Sequence, residues 1–439
     1  MRRVILYGLF FLSGVSGLVY ELVWQRLLHL VFGVSTLAVS AVLAAFMGGL
    51  ALGGLMFGRR ADRARRPQRA YALLEAGIAL TALLVPAGFA LLTDLYTVLY
   101  AQWQPGPVNG TLLRFLLSLL VLLVPATLIG GTLPFMARLT LRPRGQVASS
   151  FSLLYGVNTL GAVAGAALTG LVLLHWLGMQ HTLWLAVTIN ALVAVTALLL
   201  REPEPLPVGP EVPVPTATSG PAPVLLACAI VTGAVTTGLE VAWTRILGIF
   251  TSNSAYAFAL VLSVLLLGLA LGGLLHTLWA RRPGDSWRRL ALCQWLLAGV
   301  TLAALPCLQT APAWLDRCCD GTSVLRIFFA ELALAASVLL VPAVLMGLSF
   351  PLLISGAADD PERFGQRLGR MYAGNTLGCV AGAFLTGFVL IPTCGLQTTL
   401  CLFGAGNVTV GLVAWWCAPR SAWLMRGLVT AAVLAALTM

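Results

Sequence analysis

Two acidic residues stand in apolar surroundings and recur with their neighbours. Glu21 is followed by Trp24 and Arg26, and Glu240 by Trp243 and Arg245, at one constant offset of 219 residues. A carboxylate within a spanning segment is costly unless it is paired, protonated or hydrated. Two chemistries fit this pattern. The carboxylates could bind a proton or a cationic solute, with the indoles adding cation–π contact. Alternatively they anchor the fold, Glu21 pairing with Arg245 and Glu240 with Arg26 across two copies of the element. Pairing within one helix is poor, because residues five apart differ by about 140° around the axis. Glu21 lies about 27 Å from Arg3 along a helix, near the outer interface, where Trp24 suits an aromatic belt.

Other candidates come from places where the copies differ. Glu75 aligns with Gln294, and Arg114 with Glu331. A duplicated fold handling an asymmetric ligand diverges at its site, so these four are candidates too. Glu75 either takes part in binding or snorkels toward nearby arginines. Glu331 is either a proton carrier or the counter-ion of Arg114. A third constellation, Tyr155-x-x-Asn158-x-x-Gly161-x-x-x-Gly165-x-x-x-Thr169, is repeated from Tyr372 and Asn375 to Thr386. Its glycines permit close helix packing, and each amide must find a neighbouring helix or a ligand.

The elements that position these residues are membrane helices. The 439-residue chain is 59% hydrophobic and only 9% charged, with mean hydropathy +0.95. Continuous apolar runs of about 20 residues point to helices and exclude the alternation of a barrel. The expected spans are 4–28, 35–57, 70–93, 111–139, 147–175 and 181–200, then 223–247, 255–279, 290–309, 324–355, 371–391 and 397–417. A last apolar segment, 421–438, has no counterpart. The fold class is therefore all-α and polytopic: two parallel six-helix repeats plus one C-terminal helix, about 13 spans in all. The domains read as 1–200, a Pro-rich linker at 201–222, 223–417 and a tail at 418–439. Residues 1–28 read as a retained span, since they lack a small-residue cleavage site.

Every one of the 26 basic residues is arginine, and the net charge is +11. The arginines concentrate in the loops after helices 2, 4, 8 and 10, which the positive-inside rule makes cytoplasmic together with the N-terminus. Loops 94–110 and 310–323 face the other side. This distribution reports orientation in a lipid bilayer and gives no reason to expect nucleic acid as a partner. The nine cysteines match no zinc spacing. There is no GxGxxG, P-loop, GxSxG or HxxxH pattern, so no metal and no cofactor is expected. The repeated Pro125/Pro134 and Pro342/Pro351 pairs kink helices 4 and 10.

The doubled element Tyr20 to Arg26 and Leu239 to Arg245, the GLALGG helices and the YxxNxxGxxxG helices resemble the membrane domain of the spermidine-synthase-like family, whose members join a major-facilitator-like region to a spermidine synthase domain. The resemblance covers residues 1 to about 417. It implies a bacterial-type cytoplasmic (inner) membrane location and polyamines or other small cations as the substrate class. The family's soluble domain binds decarboxylated S-adenosylmethionine through a Gly-rich loop. This chain has no such loop, so the aminopropyltransferase chemistry does not carry over, and the resemblance implies either a stand-alone membrane member or a partner that supplies a soluble spermidine-synthase-like domain. Residues 58–66 (GRRADRARR) are also similar to the major-facilitator loop between helices 2 and 3. They depart from it at Arg65, where that loop has its second glycine. This likeness implies a conformational latch at Asp62 and Arg63. Three function classes remain: a transporter with its site between the halves, a membrane enzyme or enzyme subunit, and a scaffold.

Overall fold

In a computed structural model the chain is described over residues 2–32, 36–140, 147–200, 222–250, 255–280, 285–318, 324–355 and 364–418. The helices are α1 (Arg2–Phe32), α2 (Thr36–Arg63), α3 (Pro67–Trp103), α4 (Pro107–Thr140), α5 (Val147–Leu168), α6 (Gly178–Leu199), α7 (Ala222–Phe250), α8 (Ala255–Trp279), α9 (Ser286–Cys318), α10 (Val324–Ser355), α11 (Phe364–Leu385) and α12 (Ile391–Cys417). No strand occurs among the described residues. α5 and α11 each run into a wider π turn, Thr169–Leu173 and Thr386–Leu390. Among the described residues ten stretches are long and apolar enough to cross a membrane. The last of them, Arg367–Cys417, is broken at Gly395, where φ is 77° and a side chain would be strained.

Several helices outrun the expected spans. α3 has 37 residues and is about 55 Å long, well beyond the hydrocarbon thickness. The reason is that apolarity marks only the part of a helix in lipid, whereas the backbone ladder continues into the polar ends. The expected outer loop 94–110 thus shrinks to residues 104–106, and the expected loop 310–323 is helical through Cys318. Residues 201–221, Arg142, Arg144, Arg281, Arg282, Arg363 and the proposed span 421–438 lie outside the described residues.

Packing repeats as the sequence does. α1 lies on α5 and α7 on α11; α2 lies on α4 and α8 on α10; α3 lies on α6 and α9 on α12. The two most extensive contacts between the halves are α2 with α11 and α5 with α8. Glycines allow the close approaches. A Cβ on Gly161 would stand 2.0 Å from the Phe11 carbonyl oxygen, and one on Gly378 would stand 2.0 Å from that of Ile230. Both pairs are related by the repeat, so one small-residue stripe is used twice. The end of α6 is closed by Gln68, whose amide donates to the carbonyls of Ala197 (2.7 Å) and Leu200 (2.6 Å) while accepting from Arg2 (2.9 Å). That meets helix-end acceptors that have no partner inside their own helix.

Candidate functional site

α1 and α7 bring Glu21 and Glu240 to within electrostatic reach of one another across the boundary between the halves. Both side chains are partly exposed. Cys379 of α11 lies within reach of Glu240 and also of Tyr155 and Tyr372. These residues form a column along the boundary. Tyr155 and Tyr372 stand about 12 Å in from the starts of α5 and α11, at the end where α1 begins.

At that end the column is stopped by aromatic rings from both halves. Phe350 of α10 lies 6.1 Å from Tyr155 and 6.4 Å from Tyr372, centroid to centroid, and 6.0 Å from Phe151. The tyrosines fit because glycine faces each of them from the opposite half. A Cβ on Gly273 would meet Tyr155 at 2.9 Å, and one on Gly54 would meet Tyr372 at 2.7 Å. Next to the rings, His276 of α8 is buried, with Nδ1 2.6 Å from the Ser152 hydroxyl and Nε2 3.2 Å from that of Ser355. Ser355 donates its own proton to the Pro351 carbonyl (2.9 Å), so it accepts from Nε2–H. His276 therefore ties α5 of the first half to α10 of the second.

The expected Glu21–Arg245 and Glu240–Arg26 ion pairs are not formed. Arg26 and Arg245 are exposed, on a different side of their helices from the half-exposed glutamates. The same rotation that separates Glu21 from Arg26 thus operates in both copies. Among the described residues the two glutamates are left near each other without a basic partner. The tryptophans also differ from expectation. Trp24 is 1% exposed and Trp243 fully buried, so neither belongs to an interfacial belt. Trp24 stacks on Tyr20 at 5.1 Å with its edge toward Phe46, inside the first half. It lies three residues from Glu21, which turns it about 60° away and into the bundle.

Asn158 donates to the Phe10 carbonyl (2.9 Å) and Asn375 to that of Ala229 (3.0 Å), which are repeat-related positions. Each amide thus has a neighbouring helix as its partner. Glu75 does not snorkel. It is fully buried and accepts a hydrogen bond from the Asn190 amide of α6. Its counterpart Gln294 is buried and donates to Ser349 (3.0 Å). Glu331 is buried on α10, whereas the side chain of Arg114 lies outside the described residues. Asp62 is half-buried and Arg63 exposed in the last turn of α2, the helix that packs against α11. Among the described residues no cluster of His, Cys, Asp or Glu could hold a metal.

Neither a protein-family profile nor a curated protein sequence matches the chain. Solved structures do. The human organic anion transporter MFSD10 (TETRAN) superposes with TM-score 0.60 at 14% identity, covering 94% of this chain and 99% of its own. The E. coli fucose:proton symporter FucP gives 0.60 at 14% identity over 95% and 99%. The nucleoside transporter NupG gives 0.54 at 14% identity over 94% and 98%. The fold is major-facilitator-like.

Sequence reasoning did not single out Cys379, His276, Ser152, Tyr71 or Phe350. Most of these break the repeat, so self-comparison gave them no signal. His276 aligns with Phe57, and Cys379 with Ala162. A search for polar residues present in only one copy would have found all but Phe350.

Proposed function

We propose that this protein is a transporter of small organic cations, polyamines among them, that bind between Glu21 and Glu240. The observation that carries the reading is the nearness of these two carboxylates, one from each half, with no arginine beside either among the described residues. Two like charges in an enclosed crevice repel, and a ligand with two ammonium groups relieves that repulsion. The resemblance to the membrane domain of the spermidine-synthase-like family points the same way. The arginine-rich ends are cytoplasmic in this reading, so the aromatic stopper closes the inner side and the Glu21–Glu240 crevice is reached from outside. Residues 1–200 and 223–417 act as two rocking halves, with Asp62 and Arg63 as the latch between α2 and α11.

The test is uptake of labelled spermidine or putrescine into proteoliposomes. Saturable flux is expected from the natural chain, with at least about tenfold loss in Glu21→Gln and in Glu240→Gln, equivalent to about 1.4 kcal/mol of lost interaction. Flux that is unchanged in both variants, or absent for every small cation tried with folded protein, sinks the reading.

A further inference from the structure

Glu75 lies away from that crevice, inside the first half. It is fully buried, and its Oε2 accepts from Asn190 of α6. The hydroxyls of Ser13 on α1 and Tyr71 on α3 flank the same carboxyl, and Tyr20 of α1 is within its electrostatic reach. Of the buried oxygens here, Asn190 Oδ1 and the Tyr20 hydroxyl have no hydrogen-bond partner, and Glu75 Oε1 and the Tyr71 hydroxyl have only one another and Ser13 to turn to. Among the described residues no charged neighbour acts on the carboxyl. Of the groups on the helices around it, Arg2 is held by Gln68, Arg138 lies in the last turn of α4, and His181 is exposed near the start of α6.

The second half is an internal control. The positions equivalent to Ser13, Tyr20, Tyr71, Glu75 and Asn190 are Thr232, Leu239, Leu290, Gln294 and Asn407. The same backbone frame is therefore stable with two leucines and a neutral amide in these places. The first half keeps a carboxyl and two phenolic hydroxyls where the second half has an amide and two leucines. An uncompensated charge buried away from water is strongly destabilising, so the carboxyl must be neutralised by something it binds.

We infer that the cage of Glu75, Asn190, Tyr71, Tyr20 and Ser13 is a binding site for one small monovalent cation, a proton or a sodium ion, closed within the first half. Its ligands are all oxygens, the chemistry that hard cations select. The site is joined to the crevice through α1. Tyr20 faces the cage and the next residue, Glu21, faces the crevice, so a shift of α1 on cation release is felt at both.

Two measurements on purified protein test this, and neither measures transport, so the result stands apart from the cargo. The first is equilibrium binding of radioactive sodium. The second is the infrared carbonyl band of a protonated carboxylic acid, followed as pH is raised without sodium. Sodium binding at one ion per chain, lost in Glu75→Gln and weakened several-fold in Tyr71→Phe, identifies sodium. No sodium binding, but a protonated-acid band that disappears in Glu75→Gln and moves in Tyr71→Phe, identifies a proton. Should Glu75→Gln fail to fold, Tyr71→Phe alone still reports on either readout. Neither binding nor band in the natural chain overturns the site.

Discussion

The Nδ1 of His276 lies 2.6 Å from the Ser152 hydroxyl, and this contact crosses from one half of the molecule to the other. At the repeat-equivalent position the chain carries Phe57, so the helix tolerates a ring without nitrogens there. His276→Phe is expected to lower stability by about 1–3 kcal/mol, because it removes two hydrogen bonds and leaves a buried hydroxyl on Ser152 facing carbon. Thermal unfolding in detergent checks this. A melting temperature equal to that of the natural protein would show that the tie contributes nothing.

Asn158→Leu and Asn375→Leu are expected to destabilise by similar amounts, about 1 kcal/mol each, since each loses one hydrogen bond to a neighbouring helix carbonyl. Their effects should add, because the two bonds lie in different halves. A loss of polyamine binding without loss of stability would instead make the amides ligand groups.

Gly161→Ala and Gly378→Ala should each cost about 1–3 kcal/mol, since the added methyl meets a backbone oxygen at 2.0 Å and a backbone cannot step aside as a side chain can. Gly8→Ala and Gly17→Ala have nothing within 4 Å and should be neutral or slightly stabilising. Paired melting curves decide it; equal effects at all four positions would contradict the packing described.

Much of the architecture was legible because it rests on two strong signals, apolar runs and duplication. The Gly161/Gly378 and Asn158/Asn375 positions recur in identical surroundings, and self-comparison finds them directly. Trp24 misled because a tryptophan near a span's end usually marks the interface, and only the direction it faces, set by Tyr20 and Phe46 around it, shows otherwise. Glu75 was hard to place for a related reason. Its distance along the helix from the arginines suggested snorkelling, while its partner Asn190 lies 115 positions away and on another helix. Contacts of that range leave no local trace in sequence.

Cys318 is exposed at the end of α9 opposite the arginine-rich ends. In the proposed orientation a membrane-impermeant maleimide should label it from outside intact cells, in a variant with the other cysteines replaced. Labelling only after the membrane is opened would reverse the orientation.

The two π turns, Thr169–Leu173 and Thr386–Leu390, occupy the same place in both copies. Such turns are rare, and finding one twice at a shared position by independent events is far less economical than inheriting it. The widened turn therefore belonged to the ancestral six-helix unit, before its gene doubled. Tyr20, Tyr71 and Glu75 correspond to Leu239, Leu290 and Gln294 in the other copy, so these side chains record changes made after the doubling.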